Sequence, residues 1–106
     1  MSGGGSGGGS GGPGITVDEV LPCDRLQFEA HLQSPDFQVV SQLNAGDQLD
    51  VVVEGQAVAA LSAHGRAGWI VERLPNLLRC IQAGHIFRAE VLSTNGGAVN
   101  VKVYRP

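Results

Sequence analysis

The chain has 106 residues, but the first fourteen are almost wholly glycine and serine, which leaves 92 to build a core, enough for one domain. Hydrophobic residues make up 42%, charged residues 16% and the formal net charge is −3, an ordinary globular balance that excludes collagen-like and fully disordered chains. There is no run of eighteen apolar residues and no charged-then-apolar leader, so neither a membrane span nor secretion is expected, and the cytoplasm is the expected location.

Residues 1–14 hold nine of the sixteen glycines in Gly-Gly-Gly-Ser repeats. Such a stretch has no side chain able to bury area against the entropy of ordering, so it reads as an appended flexible linker, with the domain starting near Ile15 and running to Pro106. Positions 25–32 then alternate, with Leu26, Phe28, Ala30 and Leu32 on one side and Arg25, Gln27, Glu29 and His31 on the other, which predicts a half-buried strand. Ser34-Pro35-Asp36 breaks that pattern, because proline donates no ladder hydrogen bond and the other two bond to the local backbone. Residues 37–43 fit either a helical turn or a strand. Asn44-Ala45-Gly46-Asp47 reads as a turn, and the valine-rich stretch 48–53 as a buried strand. Gly55 makes a tight connection to a strand at 57–62. His64-Gly65-Arg66 is a further turn, ahead of a short edge strand at 67–70.

Leu74, Leu77, Leu78 and Ile81 fall at i, i+3, i+4 and i+7, the stripe of an amphipathic helix, with Pro75 suited to its first turn and Gly84 to its end. Arg73 and Arg79 lie off that stripe and are expected to face solvent. Residues 86–93 and 98–104 form two strand runs around Thr94-Asn95-Gly96-Gly97, in which Asn-Gly is the strongest short hairpin signal. On the second run Val99, Val101 and Val103 point one way and Asn100, Lys102 and Tyr104 the other. The expected fold is therefore β-rich α+β: about six short antiparallel strands in a sheet curled into a small, partly open barrel, with one helix over an end.

Charge is divided along the chain. Between residues 15 and 54, eight acids face Arg25 alone, a balance of −7; from residue 55 onward six cations face Glu72 and Glu90, a balance of +4. Such a division points either to an anionic partner or to the two halves neutralising one another in solvated pairs worth ~0–1 kcal/mol each.

Cys23 and Cys80 are the only cysteines and neither has zinc-ligand company, so no metal site is expected. Cys80 reads as a small buried hydrophobe, and a disulfide with Cys23 is not expected in a cytosolic protein. His31, His64 and His85 are dispersed and read as surface residues. No serine sits in a nucleophile-elbow pattern, and Asn95-Gly96-Gly97 lies between strands rather than ahead of a helix, so it is no phosphate cradle. No catalytic set and no cofactor motif can be named, and a non-enzymatic protein is expected. What remains is a group of aromatics beside cations: Trp69 with Arg66, and Tyr104 with Lys102 and Arg105, joined by Arg88. That is the chemistry of base stacking and phosphate contact used on single strands, although each aromatic can equally be a packing residue.

From residue 46 onward, four segments in order carry a resemblance: Gly46-Asp47-Gln48-Leu49-Asp50-Val51; Gly65-Arg66-Ala67-Gly68-Trp69-Ile70; the helix from Leu74 to Gly84; and Phe87-Arg88-Ala89-Glu90-Val91. Together they resemble the HIRAN domain, a small β-barrel of DNA-processing helicases and of stand-alone bacterial proteins. The resemblance implies DNA binding. In the best-understood members, which hold the 3′ end of a single strand, a loop of acidic-proline-x-asparagine-x-aromatic-aspartate pattern lies between the second and third strands. This chain has only Glu54-Gly55-Gln56-Ala57 there. Two classes of function are therefore carried forward. The first is a module contacting single-stranded DNA through Arg66, Trp69, Arg88, Lys102, Tyr104 and Arg105. The second is a protein-interaction or self-assembly module, meeting another protein or a second copy through its divided charge or a strand edge.

Overall fold

A computed structural model describes residues 20–106; the Gly/Ser segment and the expected start of the domain near Ile15 lie outside the described residues. A 3₁₀ turn (Cys23–Arg25) leads into β1 (Phe28–His31), α1 (Phe37–Val40), β2 (Gln48–Glu54), β3 (Ala57–Ser62), β4 (Gly65–Ile70), α2 (Leu74–Gln82), β5 (Arg88–Asn95) and β6 (Ala98–Tyr104). The strands form one antiparallel sheet in the order β1-β6-β5-β2-β3-β4. It curls into a half-barrel with α2 as the one substantial helix, which is the predicted β-rich α+β fold. Among the described residues no helix is long and apolar enough to cross a membrane.

The inner face follows the two-residue period. Val99, Val101 and Val103 of β6, Ala89 and Val91 of β5, Leu49 of β2 and Val58 and Ala60 of β3 are all buried. From α2, Leu77 and Cys80 enter this core fully, while Leu74, Leu78 and Ile81 pack against it from its margin. Arg73 and Arg79 are exposed, as the helical stripe predicted. The ambiguous stretch 37–43 begins as a helix because the Asp36 carboxylate accepts from the Gln38 N–H at 3.0 Å, a helix N-cap, and Val39, Val40 and Leu43 are thereby buried.

Three expectations shift. First, β1 is shorter than 25–32, because residues 23–25 wind into the 3₁₀ turn; Leu26 is buried all the same. Second, β2 is a two-faced strand rather than a buried one: Leu49 is enclosed while Gln48, Asp50 and Glu54 face out. Third, the β5–β6 turn sits one residue later than Asn-Gly. Asn95 pairs with Ala98, and the two turn residues are Gly96 and Gly97, at φ 60° and 93°. A two-residue hairpin turn of this hand needs positive φ at both positions, and Gly-Gly meets that more cheaply than Asn-Gly.

What closes the molecule is a lace between its first third and residues 67–80. The Leu21 N–H donates to Asn76 Oδ1 at 2.8 Å and the Asn76 amide donates back to the Leu21 carbonyl at 3.2 Å. Cys23 and Cys80 form a disulfide with Cα atoms 5.5 Å apart. The His31 N–H donates to Glu72 Oε2 at 2.8 Å. Gln33 and Trp69 exchange backbone bonds of 2.8 and 2.9 Å, and the Asp36 N–H donates to the Ala67 carbonyl. β4, expected as a short edge, is thus longer, and its free side is partly occupied by the chain that follows β1. The disulfide corrects the reading of Cys80 as an unpaired thiol. Cys80 is fully buried, but the fold brings a cysteine 57 residues away within bonding reach.

Gly68 makes the seam possible. A Cβ at this position would lie 2.9 Å from the Leu32 Cβ and 3.1 Å from the Gln33 carbonyl oxygen, so only a residue without one lets the two backbones meet.

Candidate nucleic-acid interface

Register places the predicted residues. Tyr104, Arg88, Asp50, Leu61 and Arg66 occupy successive partner positions across β6, β5, β2, β3 and β4, a transverse row on the outer face. At ~4.8 Å between neighbouring strands the row spans roughly 19 Å. Trp69 lies on the same face opposite Ala59.

β2 holds this row together. Its outward polar residues each engage one predicted site residue: Gln48 Oε1 accepts from the Tyr104 hydroxyl, Asp50 Oδ1 lies 3.1 Å from Arg88 Nη1, and Glu54 Oε1 lies 3.2 Å from Arg66 Nη1. The Arg66 guanidinium also sits 4.5 Å from the centroid of the Trp69 ring, a cation–π contact. To reach Glu54 from its place beside Leu61, Arg66 crosses the row of Ala59 and Trp69; Ala59 beneath is fully buried and Trp69 half-buried.

The acids of the first half and the cations of the second therefore meet within one chain, so the divided charge of the sequence does not become two opposed faces here. These are pairs in water. The side chains of Arg66 and Glu54 are 47% and 41% exposed, and those of Arg88 and Asp50 are 45% and 63% exposed, so each pair contributes ~0–1 kcal/mol and yields readily to a competing anion.

The other predicted residues lie off this core. Lys102 stands between two acids in register, Glu29 of β1 and Glu90 of β5. Arg105, just past β6, lines a groove with Arg88, His85 and Ile86. A second groove runs along the seam, where Arg66 and Trp69 face Ser34, Asp36 and His64. The six residues thus divide into a seam pair, a rim group of Arg88, Tyr104 and Arg105, and Lys102 apart. His31 spends its backbone N–H on Glu72, while His64 and His85 line different grooves. Among the described residues no three of His, Cys, Asp and Glu converge where a metal could be held.

Sequence reasoning missed Gln48, Asp50 and Glu54. Their signal was present as alternation with Leu49, Val51 and Val53, but the run of three valines masked it. The connection where HIRAN domains carry their end-binding loop is a hairpin here, with Glu54 paired to Ala57 around Gly55 and Gln56. No family model, no curated protein and no solved structure matches the chain. The four segments that carried the resemblance in the sequence fall on the start of β2, on β4, on α2 with the residues just after it, and on the start of β5.

Proposed function

We propose that this domain is a non-enzymatic binding module associated with DNA processing, a HIRAN-like barrel that contacts single-stranded DNA along the outer face of its sheet. The observation that carries the reading is the Arg66 guanidinium lying on Trp69 beside an open groove. Bases stack on aromatic faces and on guanidinium planes, and a cation in the same place meets phosphate; sequence-tolerant single-strand binders combine these features. Arg88, Tyr104 and Arg105 extend the track toward the opposite end of the row. With only the Gly55–Gln56 turn between β2 and β3, the strand is held along its length rather than by its 3′ end.

Trp69 is the only tryptophan, so its fluorescence reports on the seam directly. A short oligothymidylate is expected to quench it, and to shift the amides of Arg66, Trp69, Arg88 and Tyr104, at ~50 mM salt and far less at ~200 mM, because phosphate contacts release counterions. Trp69→Ala should weaken binding by about 1–3 kcal/mol, the value of one stacked base. No response at millimolar DNA overturns the reading.

A second reading, a protein partner, draws on Ile86. This residue is 71% exposed and shares its groove with Arg88 and Arg105, a surface suited to an apolar, acidic segment. Were the partner a second copy, apparent size would rise with concentration.

A further inference from the structure

We infer that Asp50 and Glu54 are specificity-determining residues of this surface: they occupy the guanidinium sites that phosphates would take, and so set how strongly, and at what salt, an anionic strand binds. The inference rests on the single-strand reading above and adds to it the residues that grade affinity.

The geometry is that of stand-ins for a ligand. Both carboxylates project from β2, four residues apart on its outer side, and each holds one of the two arginines of the transverse row, at 3.1 and 3.2 Å. A carboxylate and a phosphate offer a guanidinium the same thing, negatively charged oxygens spaced for its fork of N–H donors. An incoming phosphate therefore replaces one anion with another, and the guanidinium can stay where it is. For Arg66 that place is on Trp69, so the platform for a base is already assembled while Glu54 holds the cation. All four side chains are about half exposed, which keeps the exchange open to solvent and inexpensive.

The salt dependence follows. An arginine already neutralised by its own carboxylate adds little to counterion release when DNA arrives. The same arginine without its acid adds close to a full phosphate contact, which steepens the plot of log affinity against log salt by about 0.7 on a single strand. Packing alone predicts no such change.

The test is anisotropy of a labelled oligothymidylate across a salt series, with Trp69 fluorescence read in parallel. It compares the parent protein with Glu54→Gln, Asp50→Asn and Asp24→Asn, each shown to be folded by its amide spectrum. Asp24 sits exposed on the 3₁₀ turn and pairs with no residue of the row, so its variant makes the same change in net charge elsewhere. At ~100 mM salt, where the screening length is about 10 Å, a distant charge contributes little. Glu54→Gln and Asp50→Asn should each tighten binding about 2- to 5-fold, the effect of freeing one surface ion pair, with a steeper salt slope, while Asp24→Asn stays at the parent affinity. If the parent binds and the two variants tighten it no more than Asp24→Asn, the inference is wrong and the single-strand reading stands. If neither the parent nor any variant binds at low salt, both fall together.

Discussion

The β5–β6 hairpin and the seam that draws the barrel together are made in opposite ways. In the hairpin every decisive contact is local: Gly96 and Gly97 turn the chain, Asn95 meets Ala98, and three valines at alternate positions face the core. The seam is built from residues far apart. Leu21 reaches Asn76 across 55 positions, Cys23 reaches Cys80 across 57, and His31 reaches Glu72 across 41. A local element needs only its own turn chemistry, whereas a seam must first meet the entropy of closing long loops. That the long closure carries a covalent bond, a side-chain amide mimicking a strand partner and a glycine at the crossing is what such an entropy cost calls for.

The contrast can be broken at its strongest link. Cys23→Ser removes the disulfide. With the cysteines 57 positions apart, loop-closure entropy assigns the bond about 4 kcal/mol. Urea unfolding should show that loss, and reductant should cost the parent protein the same amount while leaving Cys23→Ser unchanged. A parent indifferent to reductant would mean that the lace holds without its covalent member.

Next in size, Gly68→Ala forces a methyl group to within 2.9 Å of the Leu32 Cβ and 3.1 Å of a backbone carbonyl, neither of which can swing aside. About 3 kcal/mol of destabilisation is expected, with hydrogen exchange accelerated first at Gln33 and Trp69. Loss of stability with those two amides still protected would place the strain elsewhere. Gly96→Val sharpens the other side of the comparison. At φ 60° with open space around its missing Cβ, the substitution costs backbone strain alone, about 2 kcal/mol, and should leave the seam amides untouched. Unchanged stability would contradict the turn assignment.

The proposed site follows the same division. Trp69 and Arg66 are near neighbours in sequence, so an aromatic close to a cation was legible, but three residues along a regular strand point to opposite faces, and only the register shift of β4 against Ala60 and Leu61 puts the two on one face. Which acid Arg66 meets was not legible, because Glu54 lies on another strand and comes within 3.2 Å only once β2, β3 and β4 are in register. Arg88 and Tyr104 read as separate candidates along the chain and become partners only in the ladder. The valine run of β2 illustrates the opposite error. Its high β propensity correctly marked a strand, yet propensity carries no information about which alternate positions face water.

By itself, then, the sequence determined the local pieces: α2 from a leucine stripe bounded by Pro75 and Gly84, the terminal hairpin from its glycines and alternating valines, and a β-rich class from several short runs separated by turns. These are set within a few residues by dihedral preference and by burial on one face. Only the tertiary structure decided that Cys23 bonds Cys80, that Gln33 closes on Trp69, and that β2 supplies a carboxylate to each arginine of the row. Such contacts depend on how a sheet curls and on what it brings across 12 to 57 positions, and no pattern within a short window of residues encodes that meeting.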